Sequence, residues 1–330
     1  MDPALYKDVT TSRGLTYHYY HSPAVAGKPT LLFLHGFPSS SYDWHRQVEY
    51  FQPKGYGLVI PDGLGVGGTS KPETLEAFRF AQIARDIADV LDATGVDQVI
   101  GIGHDWGSVV LSRMANLFDS KFYAFAWIAL SYVPPSGRRD VDAAIARSRA
   151  ETGNDRIGYW KHFVQDDAYK ICEQNIDSFI QLLYPTTPQV WSEWLTPAGK
   201  SIEWIEANRR PGKPPWLTQE EFGVLRETLV QSGLKSQLNY YKMSVTDANA
   251  EDDSKIPKEA LHVQQPALFI AASRDYVCTP ERGRANMARY VPHARIVELD
   301  VGHWAFLEAT EKVNHELEDW IQSLPLSGSL

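Results

Sequence analysis

Short apolar runs, each bounded by turn residues, recur in the first and last parts of the chain, and each run predicts a buried β-strand. The runs span residues 30–34, 57–60, 98–102, 122–130, 266–272 and 295–299. Between them, the apolar residues of 77–93 share one helical face that ends before Gly95, and Val313, Leu317 and Ile321 repeat that spacing. Alternating strands and helices predict an α/β fold, with helices on both faces of a mostly parallel sheet.

The alternation of strands and helices stops at "SYVPPSGRRD". Pro134 and Pro135 cannot continue a central strand, because proline lacks the backbone N–H that a neighbouring strand would bind. Residues 135–257 then have a helical pattern rich in aromatic side chains, and strand-like sequence resumes after them. We therefore expect an α/β core formed by residues 1–134 and 258–330, with residues 135–257 inserted as a helical cap.

Composition and charge narrow the function classes. Hydrophobic residues make up 43% and charged residues 22% of the chain, which is ordinary for a soluble globular protein. The net charge of −9 argues against a nucleic-acid partner or an anionic membrane surface, since both require clustered Lys and Arg. Apolar runs fall short of the roughly 20 residues of a membrane helix, so we expect no membrane insertion.

The two cysteines, Cys172 and Cys278, are too few for a disulfide framework in a chain of 330 residues. We interpret both as small buried side chains without the neighbours of a metal site. Together with an N-terminus that has no apolar signal-peptide core, this usage predicts a reducing compartment and a cytoplasmic protein.

The stretch "VIGIGHDWGSVVLSRMA", residues 99–115, has the pattern of a nucleophile elbow. An apolar strand reaches Gly103, a helical pattern follows Gly107, and the residue between the two glycines would stand on a sharp turn. In G-x-S-x-G that residue is serine, but here it is Asp105. The sequence thus places a carboxylate where related folds carry a hydroxyl nucleophile.

Three further segments complete a hydrolase pattern. "HGFP" follows the first predicted parallel strand, and there the amides of Phe37 and Trp106 would form an oxyanion hole. Asp275 and His303 each follow a later predicted strand. Either residue alone is more often a surface turn residue or a hydrogen-bonded core histidine. Together with Asp105 they give the order nucleophile, acid, histidine, which is the chain order of α/β-hydrolase triads, at the strand ends where such sheets carry active sites.

The glycine-rich "PDGLGVGGTSKP" resembles a dinucleotide loop only in its spacing. Lys71-Pro72 follows instead of a helix, and no acidic residue ends the next strand, so we interpret the segment as a tight turn. The segment therefore predicts no dinucleotide site, and the aspartate chemistry described next requires neither a metal nor an organic cofactor.

A carboxylate nucleophile suits displacement at a saturated carbon. Serine attacking such a carbon would leave an ether that water cannot split, whereas aspartate leaves an alkyl ester with a carbonyl open to attack. Aspartate is also ionised near neutral pH, so the first step needs no base.

At "HGFP", "GHDWG", Asp275 and "GHW", the chain resembles the epoxide hydrolases of the α/β-hydrolase superfamily. The resemblance covers nearly the whole chain, because the predicted insertion stands where that family carries its helical cap. It implies two cap tyrosines that assist ring opening. "IGYWKHF" indicates Tyr159 as the first, and "SQLNYYK" indicates Tyr241 rather than Tyr240 as the second.

The resemblance implies an active site and a substrate class. The implied catalytic residues are Asp105, His303, Asp275, Tyr159 and Tyr241. The residues expected to contact substrate are Phe37, Trp106, Trp160 and Trp304. The aromatic cap suggests a small apolar or aromatic epoxide, opened to a vicinal diol through an ester on Asp105. A homodimer is left open.

Two other functions stay open on the sequence. A haloalkane dehalogenase would share Asp105 and His303, and a non-catalytic receptor could keep the fold. The paired tyrosines favour an epoxide over a halide, and the intact triad disfavours a receptor. Ser108, Val66 and His162 depart from residues frequent in the family, which leaves the shape of the pocket undetermined.

Overall fold

A computed structural model describes residues 1–325, and one eight-stranded sheet forms the centre of this part of the chain. Its strands are β1 Tyr6–Thr10, β2 Thr16–Ser22, β3 Thr30–Leu34, β4 Gly57–Pro61, β5 Val99–His104, β6 Phe122–Ile128, β7 Ala267–Ala272 and β8 Arg295–Leu299. Their order across the sheet is β1-β2-β4-β3-β5-β6-β7-β8, and β3 to β8 run parallel to their neighbours within that group. The predicted mostly parallel sheet is therefore confirmed.

All six predicted strands are present, with shifts at their ends. The fourth ends at Ile128 rather than at residue 130, because Ala129 has a left-handed backbone with φ of +61° and cannot extend the ladder. Two antiparallel strands at the N-terminal end, β1 and β2, were not predicted. Their sequences, YKDVT and TYHYYHS, carry polar and aromatic side chains instead of an apolar run.

The helices pack around the sheet. Their bounds are α1 His45–Phe51, α2 Phe80–Thr94, α3 Trp106–Leu117, α4 Val141–Thr152, α5 Trp160–Phe163, α6 Ala168–Gln174, α7 Ile176–Leu183, α8 Lys200–Glu206, α9 Gln219–Ser232, α10 Asn239–Ser244, α11 Asp247–Asp253, α12 Pro280–Tyr290, α13 Ala305–Glu308 and α14 Thr310–Gln322. Helix α2 packs on α3 and α1 packs on α14. Gly95 ends α2 with φ of +72°, as its position predicts. None of the helices within residues 1–325 is both long and apolar enough to cross a membrane.

Helices α4 to α11 occupy the connection between β6 and β7, which we call the helical segment (residues 129–266). Buried ion pairs attach it to the helices of the sheet. Glu221 on α9 accepts hydrogen bonds from His45 at 2.7 Å and from Arg46 at 2.8 Å. On the far side, Arg113 on α3 binds Asp253 on α11 at 2.8 Å. The segment is thus fixed over the edge of the sheet where β5, β7 and β8 end.

Candidate active site

Asp105 stands on the turn between β5 and α3, with φ of +51° and ψ of −122°. Non-glycine residues adopt such a backbone at a cost of about 1–3 kcal/mol, and they do so mostly at functional sites. The turn closes only because its flanks are glycine. A Cβ on Gly103 would lie 2.8 Å from the carbonyl oxygen of Gly107, and a Cβ on Gly107 would clash with the carbonyl of Leu34. The backbone at Asp105 is therefore strained, and the strained turn presents its carboxylate.

The two oxygens of the Asp105 carboxylate have different surroundings. The Phe37 amide donates to Oδ1 at 2.9 Å, and the Trp106 amide also bonds this carboxylate. A Cβ on Gly36 would collide with the carboxylate, so glycine is required at that position. Burial raises the pKa of Asp105, while the charge of His303 and the two amides oppose the rise. Oδ1 is therefore held by the Phe37 amide, and Oδ2 is left as the attacking oxygen.

His303 and Asp275 form a buried pair beside that carboxylate. The Nδ1 atom of His303 lies 2.6 Å from Oδ2 of Asp275, and the amides of Val277 and Cys278 donate to the other Asp275 oxygen at 2.8 and 2.9 Å. Burial alone would lower the pKa of His303, but the charge and hydrogen bond of Asp275 hold it well above the ordinary histidine value. Burial would raise the pKa of Asp275, but His303 and the amides hold it below its usual value.

The other imidazole nitrogen faces the nucleophile. Nε2 of His303 lies 3.6 Å from Oδ2 of Asp105, beyond ordinary hydrogen-bond length. The triad order predicted from the sequence corresponds in space to a carboxylate, an imidazole and a second carboxylate in line. Such a set can orient an imidazole as a general base toward anything bound at Asp105.

Tyr159 and Tyr241 belong to the helical segment, and they line one cavity with Asp105. Both are buried, their rings are 5.9 Å apart at 79°, and their hydroxyls interact with each other. Burial and the nearby Asp105 charge raise the pKa of Tyr159, and burial, Tyr159 and Asp105 raise that of Tyr241. Both hydroxyls therefore stay protonated and can donate. Tyr240 instead packs edge-on against Phe78, with ring centroids 5.2 Å apart.

The cavity that Asp105 and these tyrosines line has about 960 Å³ of empty space, its open mouth included. The sequence-predicted residues that line it are Asp105, Trp106, Tyr159, Trp160 and Tyr241. The space is comparable to that of small-molecule binding sites. Nucleophile, tyrosines and two of the expected aromatic contacts thus share one cavity.

Two residues expected to contact substrate are placed elsewhere. Trp304 is 1% exposed, stacks on Tyr184 with ring centroids 4.0 Å apart, and donates its Nε1–H to the Leu183 carbonyl at 2.8 Å. It supports the base of the site instead of lining the cavity. The Phe37 ring packs edge-on against Tyr241 at 5.2 Å, so its backbone amide, not its ring, faces the nucleophile.

Sequence reasoning missed Cys278. We interpreted it as inert, yet its sulfur, an oxygen of Asp275 and a nitrogen of His303 all lie within 4.8 Å of one another, a spacing that could hold a metal ion. Burial raises the pKa of the Cys278 thiol to about 11, so it is neutral near physiological pH. Asp275 and His303 already bind each other, and the group serves the triad. Cys278 and His303 lie in turns that are far apart in the sequence, so no local sequence pattern predicts their contact.

Three arginines on the cavity wall were also missed: Arg139, Arg156 and Arg282. They come from the start of the helical segment, from its turn after α4, and from α12. Because the three arginines are far apart in the sequence, no sequence pattern predicts that they line one cavity.

Comparison with known proteins decides the family. A profile for the alpha/beta hydrolase fold matches residues 29–147. Epoxide hydrolase A of Mycobacterium tuberculosis is 30% identical over 91% of this chain and 92% of its own length. The chain belongs to the epoxide hydrolases of the α/β-hydrolase fold.

Solved structures of the epoxide hydrolase family agree with that assignment. Epoxide hydrolase A from Mycobacterium thermoresistibile matches with a TM-score of 0.82 and 27% identity, covering 98% of this chain and 99% of that one. An epoxide hydrolase from an endophytic Streptomyces also gives 0.82, with 26% identity over 97% of this chain and 95% of that one. The expected α/β-hydrolase fold is thereby confirmed.

The three departures from common epoxide hydrolase residues lie outside the cavity wall. Val66 is buried in the glycine-rich turn, and Ser108 is buried in α3. His162 on α5 is buried, and neither of its ring nitrogens has a hydrogen-bond partner within residues 1–325. They act on packing behind the site rather than on its reacting groups.

Proposed function

We propose that this protein hydrolyses an epoxide to a vicinal diol through an alkyl-ester intermediate on Asp105. The observation that carries the proposal is that a strained, amide-held carboxylate and two protonated tyrosines line the same cavity. A nucleophile and acids in one cavity are what opening a three-membered ring requires. Membership of the epoxide hydrolase family supports it.

In the first step, Oδ2 of Asp105 attacks one epoxide carbon from behind. The carbon–oxygen bond of the ring breaks, and Tyr159 and Tyr241 hold the departing oxygen while one of them transfers its proton to it. During the displacement, negative charge moves from the attacking carboxylate to the epoxide oxygen. Acids at that oxygen therefore stabilise the charge where it develops. His303 takes no proton in this step.

In the second step, His303 removes a proton from water, and the hydroxide adds to the ester carbonyl of Asp105. The charge then develops on Oδ1, which the Phe37 amide already holds, and the Trp106 amide also bonds this carboxylate. Loss of one such donor typically costs about 10²–10³ in rate. The acyl–oxygen bond breaks and the leaving oxygen takes the remaining proton of the added hydroxyl. The diol leaves with the former Oδ2, and the water oxygen remains in the carboxylate. The imidazolium proton returns to the tyrosine through solvent.

Residues 135–257 serve as the cap of this enzyme and residues 1–134 and 258–325 as its hydrolase core. The last residues of the predicted core, 326–330, lie outside the residues that the structure describes. The cap supplies the two tyrosines and an aromatic wall that includes Trp160, which suits an epoxide with an apolar or aromatic part. Cys172 and Cys278 are both free thiols, which supports a cytoplasmic enzyme.

Replacement of His303 separates the two steps. In His303→Gln, Asp105 and the tyrosines remain, so styrene oxide should alkylate the enzyme once, and the ester should persist because its base is gone. Intact-protein mass spectrometry should show the added mass of one epoxide, and peptide mapping should place it on Asp105. His315→Gln, an exposed change on α14, is the matched control and should show no stable adduct.

Three outcomes would contradict the proposal. An adduct formed only from a haloalkane, without the extra hydroxyl of an opened epoxide, would indicate a dehalogenase. Absence of any adduct, together with absence of turnover in the wild type, would indicate a receptor. Turnover of styrene oxide by the wild type without trapping in His303→Gln would rule out the covalent route.

A further inference from the structure

Three guanidinium groups converge on the catalytic cavity. Arg139 precedes α4, Arg156 lies in the turn after α4, and Arg282 stands in the first turns of α12. Among the described residues that line the cavity, Asp105 is the one carboxylate. The reacting carboxylate therefore faces a wall with three positive charges.

These arginines have no carboxylate partner within residues 1–325. Arg156 donates one hydrogen bond, to the Val277 carbonyl at 3.0 Å, and Arg139 lies over the Trp160 ring at 4.8 Å. Neither contact neutralises a charge. Of the three, Arg156 is buried, Arg139 is half-buried and Arg282 is exposed. The buried Arg113, by contrast, is paired with Asp253.

The pKa shifts of two of these arginines agree with their lack of carboxylate partners. Burial, and then the neighbouring Arg282 charge, lower the pKa of Arg139 to about 10. Burial, and then Arg156, lower the pKa of Arg282. Both shifts record positive charges that are partly desolvated and close to one another, a state that an anion would relieve.

We propose that the natural substrate is an epoxide carrying an anionic oxyacid group, a carboxylate or a phosphate, which Arg139, Arg156 and Arg282 bind. The inference rests on the proposed function and names the substrate class of that same site. Guanidinium groups match the planar oxygen pairs of carboxylate and phosphate and form charge-assisted hydrogen bonds with them. The rest of the lining combines aromatic side chains such as Trp160 with aliphatic ones such as Leu130, so the substrate joins an anionic end to an apolar part.

One other feature favours an anion at this wall. The first turn of α12, with Thr279, Arg282 and Gly283, lines the cavity, and the start of an 11-residue helix adds partial positive charge there. The chain as a whole carries a charge of −9, which repels anions. Attraction therefore has to be local, and the arginines supply it at the cavity.

The test compares substrates that differ in charge and little in shape. Styrene oxide bearing a para-carboxylate is measured against the same molecule with a neutral para-carboxamide, and a para-phosphate ester forms a third arm. Hydrogen bonds to charged groups are worth about 10- to 100-fold in binding, so kcat/KM for an anionic epoxide should exceed that for the carboxamide by about this factor. The anion with the larger ratio identifies the oxyacid.

Variants then assign the preference to the arginines. Arg282→Met, on an exposed residue of α12, should reduce the anion-to-amide ratio by about tenfold, mainly through KM. Arg139→Lys keeps a charge but loses the planar fork, and should reduce it less. Arg284→Met is the matched control: it lies on the same helix, pairs with Glu298 and does not line the cavity, so the ratio should stay at the wild-type value.

The outcomes separate this inference from the proposed function. If the wild type turned over all three epoxides with equal kcat/KM, the anionic substrate class would be refuted while epoxide hydrolysis stood. A ratio that fell equally in Arg282→Met and Arg284→Met would refute the assignment to this wall. If no epoxide were turned over, the proposed function and this inference would fail together.

Discussion

Replacing Asp275 with Asn tests how the catalytic base is set. One Asp275 oxygen accepts the Val277 and Cys278 amides at 2.8 and 2.9 Å, which fixes the side-chain orientation. In Asp275→Asn the amide oxygen has to stay on those two donors, so its NH₂ turns toward Nδ1 of His303. Nδ1 must then accept a hydrogen bond, and the proton of the neutral imidazole moves to Nε2.

The size of the effect follows from that tautomer. With a proton on Nε2, His303 cannot take one from water, and the second step loses its base. The equivalent change in a serine-protease triad lowers kcat about 10⁴-fold, or about 5.5 kcal/mol of transition-state stabilisation. The first step is spared, because the Nε2 proton points at Oδ2 of Asp105 and helps to keep that carboxylate ionised.

Rapid-quench single turnover measures the two steps separately. With styrene oxide in Asp275→Asn, ester formation should stay within about tenfold of wild type, and ester hydrolysis should fall by about 10⁴. Asp300→Asn, on an exposed carboxylate two residues before Gly302, is the control and should leave both rates unchanged. Ester hydrolysis within tenfold of wild type in Asp275→Asn would refute the tautomer argument.

Two more predictions concern the helical segment. Tyr241→Phe should slow ester formation by about 10²–10⁴ in the same assay, whereas Tyr240→Phe, which packs away from the cavity, should not; equal losses would contradict the assignment. Burial alone would raise the pKa of Glu221, but hydrogen bonds from Thr218 and Arg46 lower it from 4.5 to about 2. Its stabilising contribution is therefore complete above pH 4.5 and disappears as the pH falls toward 2. Urea unfolding should show Glu221→Gln less stable than wild type at neutral pH, with the difference vanishing in acid; a difference that persisted in acid would argue against the ion pair.

The central strands were predictable because parallel strands buried on both faces read as unbroken apolar runs. The strand β3, with sequence TLLFL, is buried at every position. The strand β2 lies near an edge of the sheet, and its polar and aromatic sequence gave no such signal. The elbow was predictable for a different reason: its glycines are forced by close backbone approach, so they mark the turn directly.

The rest of the site depends on contacts between distant parts of the chain. Trp304 looked like a substrate contact because it follows His303, yet Tyr184 from the helical segment covers it. Cys278 and Arg282 gave no signal because their significance comes from what the fold places beside them. The spacing of motifs in the sequence predicts which turns hold the catalytic residues. Tertiary packing determines which side chains face the cavity.

The connection between β6 and β7 has a further consequence for how this protein can change. Phe125 and Ala267 pair across the sheet although the whole helical segment separates them in the sequence. The entropy of closing a loop grows only logarithmically, so doubling its length costs about 0.6 kcal/mol. The core can therefore tolerate a longer, shorter or rebuilt segment at that point with little loss of stability.

The division of labour across that connection makes the tolerance useful. Asp105, Asp275 and His303 follow strands of the sheet, whereas Tyr241 and Arg156 come from the helical segment. Insertions and substitutions in the helical segment can alter which substrates enter the cavity and how they are bound. The residues of the sheet that hydrolyse the ester stay unchanged. Evolution, or an engineer, can thus vary recognition in one contiguous stretch of chain without rebuilding the second chemical step.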